Sequence, residues 1–273
     1  MKYVHKIVTL GMLFTIASTS FAANTLKLLP NGAGNFTSFT PSTGLTNYLL
    51  VDETTCNGLT DYNFTTTVGN RDSYAVSLSS IRNGSQINAI SITPCASRNS
   101  TGSSNPIMNV FYRLNGPNSA DSGSYSLTGT TPTLLSATSF TGLSLIKNSS
   151  TTFESGAVLT SGTRGVRLSQ LGTVITFTPL NAPASTTAIT VSSSSINVAW
   201  ADSSTFEAGY LIERTNTTAS SSYVNIATTT ANSTSFSDSG LDPATSYTYR
   251  VRTFNAGGTS AFYSNTATAT TNP

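Results

Sequence analysis

The sequence predicts an all-β protein, and three observations carry that prediction. Ser and Thr make up about a third of the chain, and no window sustains the three-and-four spacing of apolar residues that an amphipathic helix needs. Apolar and polar residues instead alternate in short runs, the period of a strand with one buried face. Between the runs stand Asn-Gly pairs, which tolerate the positive φ of tight turns. Disorder is the rival account of so polar a composition, but disorder does not require the alternation.

The chain opens with Lys2, His5 and Lys6, an apolar run from Ile7 to about Ala17 and the small residues of Ser20-Phe21-Ala22. This is the pattern of a secretory signal peptide, residues 1–22, and the apolar run is too short to span a bilayer. Its removal takes two of the 13 basic residues and leaves 11 against 11 acidic ones. A formally neutral chain weighs against nucleic acid and against an anionic membrane surface as partners, since both attract a positive field. No later stretch is apolar enough for membrane insertion. His5, the only histidine, leaves with the signal peptide. Ser-His-Asp and Cys-His catalysis and the usual catalytic zinc site are therefore not expected, and no cofactor is implied.

Cys56 and Cys95 are the two cysteines. In a chain bound for an oxidising compartment a disulfide between them is the default reading, with two free thiols as the alternative. Tyr74, Val76 and Leu78 alternate with polar or small residues, as do Ile90 with Ile92 and Val110 with Tyr112 and Leu114. Asn31-Gly32, Asn57-Gly58, Asn83-Gly84 and Asn115-Gly116 separate such runs. Asn83-Gly84, between the run ending near Ser80 and the one starting at Ile87, is expected to close a hairpin. About eight strands before Thr178 suggest a jelly-roll-like β-sandwich. The run Tyr48 to Glu53, with Asp61-Tyr62 and Asp72-Ser73-Tyr74, loosely resembles β-sandwich domains that stand beside fibronectin modules in secreted bacterial proteins.

A composition break at Thr178-Pro179-Leu180-Asn181-Ala182-Pro183 follows the apolar strand Val174-Ile175-Thr176-Phe177. It divides the mature chain into an N-terminal β-sandwich domain at 23–178, a linker at 179–183 and a second domain at 184–273. The second domain carries Ile196-Asn197-Val198-Ala199-Trp200, then Asp202 and Glu207 to Arg214, then Leu241, Pro243, Thr245, Tyr247, Tyr249, Arg250-Val251-Arg252, Asn255 and Gly257-Gly258. In this order the residues resemble a fibronectin type III domain of the kind common in secreted bacterial proteins. The resemblance implies an immunoglobulin-like sandwich with Trp200, Tyr210, Ile212, Leu241, Tyr247 and Val251 in its core. Leu241 and Tyr247 fit the corner before strand F, where a tyrosine hydroxyl bonds to nearby backbone. Arg250 and Arg252 lie on the opposite face of that strand, where Glu213 is expected to face one of them as a surface pair. The Asn255-Ala256-Gly257-Gly258 loop lacks the Arg-Gly-Asp triplet that some animal modules use for receptor binding, so that function is not carried over.

Chemistry-bearing residues are sparse in the first domain. Asp52, Glu53 and Asp61 are the one acidic cluster and are read as solvated loop acids, with calcium as the alternative. A glycosidase pair would have to come from Asp52, Glu53, Asp61, Asp72, Asp121 and Glu154. Ser144-Leu145-Ile146-Lys147 matches S-x-x-K, but the Ser-Asp-Asn and Lys-Thr-Gly elements of that chemistry do not occur. Asn-x-Ser/Thr sequons stand at Asn35, Asn63, Asn83, Asn99, Asn148, Asn216 and Asn232, as a composition this rich in Ser and Thr produces anyway. The expected function is non-catalytic extracellular binding or adhesion. The N-terminal sandwich would bind a polysaccharide, a cell surface or an extracellular protein through polar groups and tyrosines such as Tyr48, Tyr62, Tyr74, Tyr112 and Tyr125. The alternatives are a self-associating surface or matrix subunit and, third, a glycoside hydrolase.

Overall fold

The computed structural model describes residues 23–56, 61–216 and 222–273. The expected signal peptide and the Asn57-Gly58 turn therefore lie outside the described residues. The rest is antiparallel β-structure, with one 3-10 turn at Asn47–Leu50. Thirteen strands precede Pro179. They are β1 (Asn24–Leu28), β2 (Gly32–Thr37), β3 (Thr40–Pro41), β4 (Asn63–Thr65), β5 (Arg71–Ala75), β6 (Gln86–Arg98) and β7 (Ile107–Leu114). After them come β8 (Ser122–Ser126), β9 (Thr133–Leu134), β10 (Thr138–Phe140), β11 (Leu145–Ile146), β12 (Phe153–Ser161) and β13 (Val166–Thr178).

These strands form two sheets. Sheet I runs β10-β6-β13-β4-β3, with β1 also on β13 and β9 and β11 also on β6. Sheet II runs β2-β5-β12-β7-β8. From β4 onward the chain crosses between the sheets at six of nine connections; β7 and β8 follow one another within sheet II, and the short strands β9, β10 and β11 follow one another within sheet I. That interleaving, β10-β6-β13-β4 over β5-β12-β7-β8, is the strand order of a jelly roll. The long pair β6 and β13 fixes the register of sheet I, from Gln86 opposite Thr178 to Arg98 opposite Val166. Ile90 and Ile92 of β6 and Ile175 of β13 turn inward, onto Met108 and Val110 of β7 and Ala157 and Leu159 of β12. Ser91 and Thr93 fall outside by the period of two.

The hairpin expected at Asn83-Gly84 does not form. Strand β5 ends at Ala75 in sheet II and β6 starts at Gln86 in sheet I, so the segment between them is a crossover. Val76, Leu78 and Ile81 are buried along it, closing the end of the sandwich. Gly84 does take a positive φ of 85°, but the turn serves a change of sheet. Asn115-Gly116 is a hairpin turn, joining β7 to β8 with φ of 54° and 111°, the sign that the primed turns require.

After the linker come β14 (Ala184–Thr190), β15 (Ser195–Ala201), β16 (Gly209–Asn216), β17 (Val224–Thr230), β18 (Ser235–Ser239), β19 (Ser246–Asn255), β20 (Gly258–Thr259) and β21 (Ala267–Thr270). They form a second sandwich of sheets β14-β15-β18 and β17-β16-β19, with β20 and β21 both on β19. Its core is a separate cluster around Trp200, Tyr210 and Tyr249.

Candidate functional site

The outer face of sheet I carries a groove of about 490 Å³. Its floor is set by register. Leu26, Ile92 and Ile175 turn inward, so Lys27 of β1, Thr93 of β6 and Gly172 and Val174 of β13 turn outward on three adjacent strands. At the centre of that floor a Cβ on Gly172 would lie 3.7 Å from the Thr93 carbonyl oxygen and 3.9 Å from Lys27 Cε. The absent side chain is therefore part of the groove. One wall is Thr54, Thr55 and Cys56, with Gln170 below them, and the other is Leu134 of β9, which is 60% exposed.

Three bonds hold the first wall over the sheet. The Cys56–Cys95 disulfide ties it to β6, with Cα atoms 5.6 Å apart. The Leu171 amide donates to the Val51 carbonyl at 3.1 Å, and the Gln170 side-chain amide donates to the Glu53 carbonyl. The disulfide pairing expected from the sequence is thus present, and it anchors one side of the groove. Lys27 supplies the one charge among the described lining residues, Thr54, Thr55 and Thr93 supply hydroxyls, and Leu134 and Val174 supply apolar contact. Such a lining suits an extended polar ligand that also has an apolar face.

In the second sandwich Val198 and Trp200 of β15 face Tyr210 and Ile212 of β16, the Trp200 and Tyr210 ring centroids lying 5.4 Å apart. Leu241, Tyr247 and Val251 complete the same buried cluster. The Asp242 amide donates to the Tyr247 hydroxyl oxygen at 3.0 Å, a tyrosine corner at the entry to β19. Residues 181–270 match the profile of the fibronectin type III domain. The C-terminal sandwich is a fibronectin type III domain.

Solved structures similar to this fibronectin domain include an Fn3-like protein from Clostridium thermocellum, 24% identical over 34% of this chain and 92% of that one, with a TM-score of 0.29. A fibronectin domain of human collagen XX is also 24% identical, over 34% of this chain and 92% of that one, with a TM-score of 0.30. The domain of human contactin 1 is 24% identical over 34% and 79% of the two chains, with a TM-score of 0.31. No curated protein matches the chain. Fibronectin type III domains are typically extracellular binding or spacer modules without catalytic function. No helix among the described residues is long and apolar enough to cross a membrane.

Outside the fibronectin domain, the other residues singled out from the sequence do not converge on the groove. Tyr74 is wholly buried, and Tyr48, Tyr112 and Tyr125 pack against the core. Tyr62 lies under the Arg167 guanidinium, 4.7 Å from its ring centroid. Alternation turns Tyr74 and Tyr112 into the sandwich. Among the described residues no three His, Cys, Asp or Glu side chains come together, so Asp52, Glu53 and Asp61 do not gather into one cluster. Asn63 is buried and bonded to the Tyr74 hydroxyl at 3.0 Å, which closes that sequon to a glycan. Lys147 bonds Asn83 Oδ1 at 2.7 Å, and burial lowers its pKa.

The carboxylates are dispersed as well. Asp72 points into the core, where it accepts from the Tyr74 hydroxyl at 2.8 Å and the Asn47 amide at 2.9 Å. Burial pushes its pKa up to about 7 against those hydrogen bonds and the Phe39 backbone, which pull it down. Glu154 lies on the outer face of sheet II, accepting from Ser73 at 2.6 Å, from the Asn35 amide at 2.9 Å and from Arg113 at 3.1 Å. Burial raises its pKa, and those three donors together hold it below the ordinary value. Asp121 is closed by a bidentate pair with Arg71 at 2.6 Å. Asp72 and Glu154 therefore occupy opposite faces of one sheet and cannot flank a shared substrate, as a glycosidase pair must.

The sequence reading missed the groove. Its one local signal was Gly172, an isolated glycine inside the run from Leu168 to Phe177, where a glycine marks close approach or a missing side chain.

Proposed function

We propose that this is a secreted, non-catalytic binding protein of the extracellular space or cell surface, in which the N-terminal sandwich takes a polysaccharide along the sheet I groove and the fibronectin domain presents it. The supporting observation is the groove beside the Cys56–Cys95 disulfide, with Gly172 at its floor and threonine hydroxyls, Lys27 and Leu134 around it. A sugar chain offers hydroxyls for the first groups and a C–H face for Leu134 and Val174. The disulfide and the signal-peptide pattern support secretion.

The test is a thermal shift of the oxidised mature chain against neutral and acidic polysaccharides. A glycan at a hundred times its dissociation constant stabilises the protein by about 2.7 kcal/mol. A Cβ at position 172 makes only ordinary van der Waals contacts, so Gly172→Val is expected to fill the floor and abolish that shift while leaving the unliganded melting temperature near the wild-type value. A shift that persists in Gly172→Val moves the site elsewhere, and no shift with any glycan removes the polysaccharide reading.

A second reading, a self-associating surface or matrix subunit, is favoured by apolar side chains on edge strands. Ile189 of β14 is 66% exposed and Val224 of β17 is 62% exposed, and unpaired edges of this kind template strand pairing. Concentration-dependent assembly in size-exclusion chromatography would support it, and a stable monomer would remove it.

A further inference from the structure

The Asn255–Gly258 turn between β19 and β20 does not project into open space. It abuts the crossover turn of the first sandwich, residues Arg82 to Ser85. The Asn255 side chain closes its own turn by accepting from the Gly257 amide at 2.9 Å. Its Nδ2 donates to the Gly84 carbonyl at 2.9 Å, across a sequence separation of 171. The two backbones meet so closely at Gly257 that a Cβ would collide with the Lys147 carbonyl oxygen, the Gly84 nitrogen and Ile146 Cγ2. The Gly84 side of the contact is itself fixed, because its amide donates to the Lys147 carbonyl at 2.7 Å.

Two further contacts flank this meeting point. Leu180 of the linker is buried, and a Cβ on Gly84 would lie 3.1 Å from its Cδ2. Arg82 sits over the Phe262 ring, 6.0 Å from the centroid, on a phenylalanine that remains 73% exposed. Small contacts between domains normally permit relative motion. Here a linker with prolines at both ends, Pro179 and Pro183, restricts φ at each and keeps the two turns at an effective concentration in the millimolar range, where even a weak contact is substantially populated.

We propose that the Asn255–Gly258 turn is a docking surface whose partner is the Arg82–Ser85 turn of the same chain, so that the two sandwiches move as one body. The fibronectin domain is then a fixed bracket for the jelly roll, and the turn used for receptor capture in some animal modules is occupied from within. The consequence reaches the groove. Strand β1 starts at the joint with Asn24 and lines the groove with Lys27, three residues or roughly 10 Å along the strand. A docked joint therefore sets the angle at which the groove is presented. This inference stands whether or not the groove binds sugar.

The experiment uses the full mature chain, with small-angle scattering and limited proteolysis of the 179–183 linker as readouts. The wild type is expected to scatter as one rigid shape and to resist cleavage. Gly257→Leu, which inserts a side chain between the two backbones, is expected to enlarge the radius of gyration and to raise the cleavage rate by about tenfold or more, since cleavage follows the population of the open form. Asn255→Ala should give a smaller change in the same direction. Fluorescence of Trp200, the only tryptophan, reports whether the fibronectin domain stays folded in each variant. The proposal is overturned if wild-type scattering already requires a spread of interdomain angles. It is equally overturned if both folded variants scatter and resist protease as the wild type does.

Discussion

Each sandwich buries an aspartate beside a tyrosine hydroxyl, and the two aspartates are treated differently. In the fibronectin domain, Asp238 accepts from the Tyr249 hydroxyl at 2.8 Å and pairs with Arg214 at 2.8 Å. In the jelly roll, Asp72 accepts from the Tyr74 hydroxyl at the same distance, but its other partners, Asn47 and the Phe39 backbone, are neutral. One buried carboxylate has a cation and the other has none. The frames around them differ as well: each sandwich has its own apolar and aromatic core, and the jelly roll adds the Cys56–Cys95 disulfide. Burial alone therefore does not decide what an acidic residue does; the charge of its neighbours does.

The largest expected effects test the two frames against each other. Trp200→Ala removes the ring at the centre of the fibronectin core and should cost about 3–5 kcal/mol, measured by chemical denaturation followed by circular dichroism. The double change Cys56→Ser and Cys95→Ser should cost the jelly roll about 4 kcal/mol, because the bond closes a loop of about 40 residues in the unfolded chain. It should also release the Thr54 to Cys56 wall and weaken any ligand held in the groove. If the serine pair is as stable as the wild type, the jelly-roll core is sufficient without its clasp, and the contrast between the frames is lost.

The next effect separates the two aspartates. The Asp72 pKa is raised from 3.8 to about 7 in the folded state, so the folded protein binds a proton that the unfolded chain releases between these values. Stability from this group is therefore full below about pH 4 and falls as pH rises towards about 7, by about 4 kcal/mol at most. Asp72→Asn keeps the shape of the neutral acid and should flatten that slope, leaving the variant more stable than the wild type at pH 8. Melting curves of both proteins from pH 4 to pH 8 are the measurement. Parallel curves would mean that Asp72 is ionised in its pocket.

These contrasts were unequally legible in the sequence. The fibronectin domain was readable because its signals are local: Val198 and Trp200 alternate on one strand, and Leu241 and Tyr247 stand six residues apart at one corner. The all-β class and the jelly-roll-like sandwich were readable from alternation and turn spacing. The fate of Asn83-Gly84 was not, because the same pair suits a hairpin or a crossover. The choice is made by β6 pairing with β13, as in Ile90 opposite Ile175, far along the chain. The groove was hidden for the same reason. Lys27, Thr93 and Gly172 come from three separated segments and meet only when the register of sheet I is known. Nor does alternation distinguish an inward tyrosine such as Tyr74 from one offered to a ligand, since the period of two says which residues share a face and not which face is buried.

The smallest expected effect concerns the surface of the fibronectin domain. Glu213 lies opposite Arg250 on adjacent strands, with the arginine nitrogen 2.6 Å from the carboxylate. The same guanidinium is stacked between Tyr263, at 3.6 Å, and Tyr223, at 3.9 Å. Both charged side chains keep part of their surface in water, so solvent screens the pair, and such pairs contribute about 0–1 kcal/mol. Glu213→Gln should therefore change stability by no more than that, because the two rings continue to hold Arg250 after the charge has gone. Denaturation at low and high salt checks it: the wild-type advantage should shrink as salt rises. A loss well above 1 kcal/mol that salt does not reduce would mean that the ion pair, and not the ring stack, organises this face.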